Sequence, residues 1–320
     1  MLRSLIAAAF LFAGCVSPAR AEEPPLAEQI VDALNKADGA YPGFRANHAK
    51  GLVAQGHFRP TAEAAKLSRA AIFKGPAVPV TIRFSSGSGI PNVQDGSPRA
   101  NPHGFSAKFH LQDGSETDIV TNARKFFPVA TGEEFRDLEL AVAASVGAPK
   151  PTPLDRFIET HPLVAIPLET PASLAQEQYN GLNTFILVNA TGIRQPVRYQ
   201  IVPPQVVHLT REQAAQRSAN FLFDDIRARI AAAPVHFELR AVLPEAGDPL
   251  NDATKIWPPE RRVVTLGSFV VEKVAPDSDE AQKALLFLPG NVTDGIEASD
   301  DPLIAARDDS YAVSFSRRMQ

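Results

Sequence analysis

The chain has 320 residues, a formal net charge of −4 and a single cysteine. A mildly acidic chain without a basic stretch cannot neutralise phosphates, which excludes a nucleic-acid partner. The length suits one large domain or two small ones. Because no internal repeat or low-complexity tract is visible and the Pro-rich pairs mark turns rather than linkers, one domain is predicted.

The first 21 residues have the pattern of a secretory signal peptide. A basic residue near the start precedes an apolar run over residues 5–13, and Ala19-Arg20-Ala21 fits a cleavage site before Glu22. The run is too short to span a bilayer comfortably, so no stable membrane insertion is expected. The pattern predicts a signal peptide over residues 1–21 and a single periplasmic domain over residues 22–320.

Lipoprotein processing at Cys15 is the alternative, but Phe12 suits that kind of site poorly. Cleavage after Ala21 would remove the only cysteine from the mature chain. The mature protein would then have no disulfide, no thiolate nucleophile and no cysteine-ligated metal or iron–sulfur site.

Eight segments have strand character and predict an α+β fold. A helix is predicted over residues 26–37, and a second between Val202 and Val235, opened by the capping box of Thr210 and Gln213. Alternation with a period of two marks the strands as half-buried and antiparallel, and eight such strands can close into a barrel. The predicted strands are residues 51–58, 78–85, 104–110, 117–120, 183–189, 197–202, 235–242 and 263–274.

The aromatic residues are unusually uniform. The chain holds 19 Phe against 4 Tyr and 1 Trp. An apolar core of phenylalanine rings is the preferred interpretation. The sharper alternative is a pocket lined by rings that resist oxidation.

Two short segments near opposite ends of the chain carry residue types that suit a haem site. The first, residues 45–51, places an arginine three positions before a histidine. In the second, Arg307 precedes Tyr311 by four positions, so on a helix their side chains share one face. The guanidinium is expected to hold Tyr311 as a phenolate, a ligand that suits ferric iron. Either motif alone would be weak evidence, and the surrounding sequence strengthens it.

From about Pro42 to Arg318 the chain closely resembles the haem catalase family. The order and spacing of the matching segments, more than any one of them, carry the resemblance. Besides the two motifs above, these segments are Val80–Ser85, Asn101–Phe105, Lys108–Phe109, Asp118–Asn122, Phe126–Phe127, Asn251–Pro258 and Gly295–Ser299.

The resemblance implies catalytic roles for three residues. His48 matches the distal histidine, Ser85 its hydroxyl partner and Asn122 the distal amide. His48 must take a proton from one peroxide oxygen and return it to the other, so a pKa near neutrality is expected. Asn122 can donate a hydrogen bond to the peroxide without competing for that proton.

The resemblance also implies a haem b cofactor and the residues that bind it. Tyr311 is expected to be the axial iron ligand and Arg307 its partner. Arginine suits the propionates because its planar fork grips carboxylates bidentately. The other expected cofactor-binding residues are Arg45, Arg83 and Arg318 at the propionates, Phe135 stacked on the haem, and Phe287.

The chain also departs from the usual catalase pattern. Asn47 replaces an apolar residue before His48, Thr121 replaces the first asparagine of a pair, and Asn183 stands where many catalases carry histidine. The sequence stops nine residues after Tyr311, without the helical domain and flavodoxin-like extension of typical catalases. Most of the N-terminal arm is missing too. The resemblance is therefore to the small catalase-related peroxidases, and neither NADPH binding nor the typical tetramer is expected.

The leading hypothesis is a peroxidase that uses organic peroxides and hydrogen peroxide to oxidise small organic donors, with weak catalase activity. A shorter, wider approach to the haem, wetted by Asn47, is the expected cause. Two alternatives remain open. One is an isomerase of fatty-acid hydroperoxides, like catalase-related allene oxide synthases, and the other is a non-enzymatic periplasmic haem-binding protein.

Overall fold

The computed structural model describes residues 23–320, so the predicted signal peptide and Cys15 lie outside the described residues. Strands and helices are interspersed along the chain. The strands are β1 (Gly51–Pro60), β2 (Val78–Ser85), β3 (Gly104–His110), β4 (Glu116–Asn122), β5 (Thr170–Pro171), β6 (Tyr179–Asn180), β7 (Phe185–Val188), β8 (Arg194–Val202), β9 (His208–Leu209), β10 (Val235–Val242), β11 (Val263–Val274) and β12 (Ile296–Ala298). The α-helices are α1 (Leu26–Asp38), α2 (Ala62–Leu67), α3 (Gly132–Ser145), α4 (Pro153–Thr160), α5 (Arg211–Ala215), α6 (Phe221–Ala232), α7 (Ser278–Ala284) and α8 (Pro302–Arg318).

Eight of these strands form a closed antiparallel barrel, as predicted. Their order around the ring is β10, β11, β1, β2, β3, β4, β6 and β8, and pairing of β8 with β10 closes it. Closure satisfies the backbone groups that an open sheet would leave at its edges. Strands β7 and β12 extend the sheet outward from β8, and β5 pairs separately with β9.

One of the eight predicted strands is not part of the barrel ring. We expected residues 183–189 to complete the ring, but β7 pairs with β8 and β12 outside it. The ring position between β4 and β8 belongs to β6, where Asn180 pairs with Asn122 on one side and Gln200 on the other. A two-residue strand is too short for any alternation to be visible in the sequence.

The predicted single helix between Val202 and Val235 is also wrong, because two helices occupy this segment. The capping box that opens α5 is present, with Thr210 and Gln213 exchanging hydrogen bonds. Residues 216–220 then leave the helix because they bond to a neighbouring loop. Asn220 Oδ1 accepts a hydrogen bond from Lys50 Nζ at 2.7 Å, and the carbonyl of residue 219 accepts one from the backbone of residue 95.

Phenylalanine rings fill the interior of the barrel. Phe105 lies 5.2 Å from Phe84 and from Phe237 between ring centroids, in edge-to-face contacts. Such contacts add to the roughly 1.5–3 kcal/mol that burial of each ring contributes. The fully buried rings are Phe58, Phe73, Phe84, Phe105, Phe109, Phe237 and Phe269. The preferred interpretation of the many phenylalanines, an apolar core, is therefore confirmed.

A layer of helices covers one outer side of the barrel. Helix α1 buries Ile30, Val31 and Leu34 and packs against both α3 and α8. The second half of strand β2 is covered on both faces, so that Arg83 and Ser85 are buried as well as Ile82 and Phe84. The prediction that this strand is half-buried is correct for its first half, where Pro79 is exposed, and wrong for its second half. Within residues 23–320, no helix is long and apolar enough to cross a membrane.

Candidate active site

A cavity of about 260 Å³ lies between the outer face of the barrel and helices α1, α3 and α8. The structure brings all of the predicted site residues to its wall, although they are spread along most of the chain. These residues are Arg45, His48, Arg83, Ser85, Asn122, Phe135, Phe287, Arg307, Tyr311 and Arg318. The barrel side of the cavity, with His48, Ser85 and Asn122, is called the distal wall below, and the α8 side the proximal wall.

His48 is held in one orientation on the distal wall. Its Nδ1 lies 3.0 Å from Ser85 Oγ, at the end of β2. His48 has a positive φ of 56°, which is uncommon for a residue with a side chain, and its N–H donates to Asn47 Oδ1 at 2.9 Å. Gly104 leaves the room that this pair needs, since an added Cβ would approach Ser85 Oγ to 2.7 Å. Asn47 therefore positions the histidine as well as lining the cavity.

The near-neutral pKa that we expected for His48 is contradicted by its surroundings in this pocket. Burial, and then the positive charges of Arg83 and Arg307, lower the pKa of His48 to about 3. A charged imidazole is disfavoured where water is excluded and cations are close. At physiological pH His48 is therefore neutral and able to accept a proton.

Asn122 is the last residue of β4 and presents its amide to the cavity. Its Oδ1 accepts a hydrogen bond from the backbone N–H of Arg124 at 2.8 Å, whereas Nδ2 has no protein acceptor within residues 23–320. The two N–H groups of Nδ2 are thus available to a ligand. The neighbouring Thr121, which departs from the family pattern, donates its hydroxyl to the carbonyl of Phe105 and so binds to the backbone of β3.

On the proximal wall, one chain of hydrogen bonds runs from Tyr311 to the start of α8. Arg307 Nε donates to Tyr311 Oη at 3.2 Å, and Arg307 Nη1 donates to Asn183 Oδ1 at 2.6 Å. Asn183 Nδ2 then donates to Asp301 Oδ2 at 2.9 Å, while the other oxygen of Asp301 caps α8 through the N–H of Leu303. The guanidinium is consequently fixed beside the phenol oxygen, as the spacing of four residues predicted.

The three predicted propionate-binding arginines lie together at one end of the cavity. Arg45 Nη2 and Arg318 Nη2 both donate to the carbonyl of Leu285, at 2.6 and 2.5 Å. Arg83 Nη2 donates to the carbonyl of His48 at 2.8 Å. Their side chains are thus anchored by neutral acceptors.

These three arginines have no carboxylate within 4 Å among the described residues. Burial lowers the pKa of each of them, that of Arg83 to about 9 and that of Arg318 to about 10, and repulsion by neighbouring arginines adds to the lowering at Arg45 and Arg83. Clustered buried cations without anionic partners are costly, and an anionic ligand would remove that cost.

Aromatic residues line the remaining sides of the cavity. Phe135, on α3, lies 5.4 Å from Phe127 between ring centroids. Phe287 lies 5.7 Å from Lys108 Nζ, which forms a buried ion pair with Asp118 at 2.9 Å. Because Asp118 also accepts the N–H of residue 288, this ion pair fixes the segment that carries Phe287.

The family model for Catalase matches residues 29–319. The chain belongs to the catalase family. It is 36% identical to a catalase-related peroxidase of Mycolicibacterium paratuberculosis, in a match covering 91% of this chain and 94% of that protein. A catalase-related peroxidase of Synechococcus elongatus is 31% identical over 91% of this chain and 88% of its own length. A catalase of Pseudomonas syringae pv. syringae is 30% identical, and the match covers 91% of this chain but 60% of that protein.

Solved catalase structures show the same fold. A fungal catalase superposes with a TM-score of 0.75 at 21% identity, over 86% of this chain and 59% of that one. Catalase A from Saccharomyces cerevisiae gives a TM-score of 0.75 at 21% identity, over 86% and 61%. This chain thus spans about three fifths of the length of the two catalases. As a member of the catalase family, the protein is an oxidoreductase that acts on peroxide.

The residues of this catalase-family pocket fit haem. Haem needs an axial ligand on one face, cations for two propionates and apolar contact with its ring. Tyr311 offers a phenol oxygen beside a fixed guanidinium, and the arginine cluster of residues 45, 83 and 318 offers unpaired buried cations. Phe135 and Phe287 supply apolar surface between these groups.

Three cavity-lining residues escaped the sequence analysis. Asn101 lies within a segment that carries the family resemblance, and Arg124 closely follows another, but the sequence analysis assigned neither of them to the site. Glu139 lies on α3, and burial raises its pKa to about 7, with Asp38 adding to the rise. The only sequence signal for Arg124 was its position two residues after Asn122.

Proposed function

We propose that this protein is a haem b peroxidase that reduces organic hydroperoxides and hydrogen peroxide with electrons from small organic donors, and that releases oxygen from hydrogen peroxide only weakly. The observation that carries the proposal is the pairing of His48 Nδ1 with Ser85 Oγ at 3.0 Å across the cavity from the Arg307–Tyr311 pair. The catalase-related peroxidases that match this chain over most of their own length support the same conclusion.

Haem binding falls to the residues already described. Tyr311 Oη would hold the haem iron, and Arg45, Arg83 and Arg318 would hold the propionates. When bound, haem would supply the iron at which the peroxide O–O bond is broken and to which donor electrons are delivered. Arg307 Nε donates to the phenol oxygen at 3.2 Å and so places a positive charge beside the oxygen that would face the iron.

The proton transfers fall to the distal wall. In the proposed mechanism His48 Nδ1–H donates to Ser85 Oγ, which leaves the lone pair of Nε2 free to take a proton from the peroxide. The low pKa of His48 makes the protonated imidazole a strong acid, so it returns the proton readily to the departing oxygen. Asn122 Nδ2 donates to the peroxide and holds it beside His48.

His48, Ser85 and Asn122 also favour an enzyme over a haem carrier. A carrier needs an iron ligand and a fitting cavity, both of which the proximal wall and the arginine cluster provide. It has no use for a neutral imidazole fixed by a hydroxyl opposite that ligand. Proton handling on the distal wall is therefore better explained by peroxide cleavage.

Parallel assays of the haem-loaded protein test the proposal. Cumene and tert-butyl hydroperoxide should support rapid oxidation of ABTS or a phenol, and hydrogen peroxide should release oxygen slowly. Oxygen release at typical catalase rates with no donor oxidation would contradict the proposal. Conversion of a lipid hydroperoxide into an isomer, with no donor consumed, would instead identify the isomerase.

We also propose that the enzyme works in the periplasm after residues 1–21 are removed. The support is the pattern of a basic start, an apolar run and Ala19-Arg20-Ala21. N-terminal sequencing of protein from a periplasmic fraction should give Glu22 as the first residue. A lipid-modified N-terminus at Cys15 would show the lipoprotein route instead.

A further inference from the structure

A second cavity, of about 370 Å³, meets the candidate haem pocket at Asn101 and Arg124, which line both. Away from this junction, the wall of the second cavity includes the apolar side chains of Ile166, Leu168 and Leu209. Ile166 is 43% exposed, so this end of the cavity reaches the protein surface. An organic molecule entering here would pass these apolar side chains and the charged ones of Glu169 and Arg211, which also line this cavity, before it reached Arg124.

Arg124 is a half-buried cation whose guanidinium has no hydrogen-bond partner within residues 23–320. Its side chain makes no hydrogen bond to any residue in 23–320, and its Nη1 is enclosed with no acceptor. No carboxylate of the described residues lies within 4 Å of it. Asn101 Oδ1, at the same junction, is enclosed and unpaired too. Burying a guanidinium in this way is costly unless a ligand supplies the missing acceptor.

Arg124 is separate from the arginines proposed to hold the propionates. Arg45 and Arg318 both donate to the carbonyl of Leu285, and Arg83 donates to the carbonyl of His48. Arg124 lies instead near Glu139, whose negative charge partly offsets the lowering of the Arg124 pKa by burial. The N–H of Arg124 instead donates to Asn122 Oδ1 at 2.8 Å, which ties this residue to the distal wall.

We propose that Arg124 binds the carboxylate of an organic substrate at the junction of the two cavities. Two parallel N–H groups of the guanidinium can hold both oxygens of a carboxylate. The inference rests on the proposed function and narrows its substrate class to organic acids. The carboxylate could belong to the hydroperoxide or to the electron donor, and separate assays distinguish the two.

Matched acids and esters test the proposal because they differ only in the carboxylate. A linoleic acid hydroperoxide and its methyl ester would be compared with a neutral phenol as donor. Ferulate and methyl ferulate would then be compared as donors with tert-butyl hydroperoxide. If Arg124 binds the hydroperoxide, kcat/KM should favour the acid in the first pair alone, and if it binds the donor, in the second pair alone.

Substitutions then assign that preference to one side chain. Arg124→Gln should lower kcat/KM for the preferred acid by about 10- to 100-fold, the usual range for a hydrogen bond to a charged group, and leave the ester unchanged. Arg124→Lys should retain part of the preference. Lys125→Gln removes a positive charge from the adjacent exposed residue and should leave kcat/KM unchanged for both the acid and the ester. Equal treatment of acid and ester by wild type in both pairs would overturn the proposal.

Calorimetry separates failure of this inference from failure of the proposed function. Linoleate, which carries no peroxide, should bind to the haem-loaded wild type at least 10-fold more tightly than to Arg124→Gln, and methyl linoleate should bind both equally. If the protein oxidises no donor at all, the peroxidase proposal fails while this binding result still decides the role of Arg124. Equal linoleate affinity in the two proteins would show that Arg124 is not a carboxylate site.

Discussion

The inside of the barrel and the cavity on its outer face are built on opposite principles. Inside, fully buried phenylalanine rings contact one another, as Phe58 does with Phe109 and Phe105 with Phe237. Outside, under the helices, the buried groups are arginines, imidazoles and amides, several without a protein partner. Contacts between rings stabilise the fold in the first region. In the second region, buried polar groups without partners lower the stability of the fold until a ligand binds them.

This difference shows that the residues that stabilise the fold and the residues of the candidate site lie on opposite faces of one sheet. On β2, Ile82 and Phe84 face the core, and Arg83 and Ser85 face the cavity. A period of two thus assigns alternate residues of a single strand to different tasks. Substitutions on the two faces should therefore have different signatures.

Loss of the axial oxygen should have the largest effect. Tyr311→Phe removes the phenol oxygen of the proposed iron ligand while keeping the ring, so most haem, or the charge-transfer bands of a tyrosine-ligated haem, should be lost together with activity. Absorption spectra and haem content per chain measure this. Tyr41→Phe, at a residue that is 40% exposed, is the control and should match wild type. A normal spectrum and normal activity in Tyr311→Phe would show that the ligand is another residue.

Loss of the distal imidazole should leave haem bound but slow the reaction with peroxide. His48→Ala should reduce that rate by about 10²- to 10⁴-fold, the usual contribution of a general acid–base group. Asn122→Ala should cost less, because the amide positions the peroxide and moves no proton. Stopped-flow spectra after mixing with peroxide measure the rate, with the exposed His236→Ala as control. Wild-type rates in His48→Ala would remove this residue from the mechanism.

A core substitution should show the opposite signature. Phe109 lies 5.4 Å from Phe58 and 5.7 Å from Phe269 between ring centroids. Phe109→Ala should lower the free energy of unfolding by about 3–5 kcal/mol and leave the haem spectrum of the folded protein unchanged. Denaturant unfolding measures the loss, and Val146→Ala, at an exposed site, should cost little. An altered haem spectrum would mean that the two faces of the barrel are not independent.

The smallest expected effect is the change in the free energy of unfolding with pH, which tests whether the buried histidines destabilise the fold. Burial lowers the pKa of His48 and of His103 to about 3, from 6.5 when unfolded. The unfolded chain therefore binds more protons between pH 6.5 and 3, and each histidine lowers stability by about 1.4 kcal/mol per pH unit of acidification. Glu139, with its raised pKa of about 7, acts in the opposite direction as the pH falls from there.

Comparison of His103→Leu with wild type isolates one histidine from the others. Neither ring nitrogen of His103 has a hydrogen-bond partner in the described chain, so the variant should be more stable at neutral pH by about 1–3 kcal/mol. Its advantage should widen as the pH falls from 6.5. Thermal unfolding across pH 4–8 measures this, with the exposed His236→Leu as control. A constant difference at every pH would show that His103 is not buried in its neutral form.

Much of the fold and nearly all of the site were predictable because they depend on local spacing or on family resemblance. The four-residue spacing of Arg307 and Tyr311 translates directly into one helix face, and alternation located most of the barrel strands. The role of Tyr179–Asn180 in the ring could not be predicted. That role depends on the pairing of these two residues with strands β4 and β8, and a local sequence pattern does not indicate this pairing.

The electrostatic properties of the site were least predictable. A sequence shows a histidine but not the cations around it, so the pKa of His48 was expected near neutrality instead of about 3. The sequence analysis did not single out Arg124, because nothing local indicates that its guanidinium is enclosed without a hydrogen-bond partner in the described chain. Both properties come from packing between segments far apart in the chain.

The placement of α8 also sets the order of events when the protein is made. The proximal wall meets the loop before β1 through contacts such as that between the N–H of Ala46 and Ser314 Oγ, 268 positions apart at 3.1 Å. On the ribosome the barrel strands are complete before residues 302–318 have been synthesised. A nascent chain that lacks these residues has the distal histidine but no Tyr311, and closing so long a loop comes late. Haem held by Tyr311, as proposed, would therefore be bound only after the strands of the barrel and its distal wall have been synthesised.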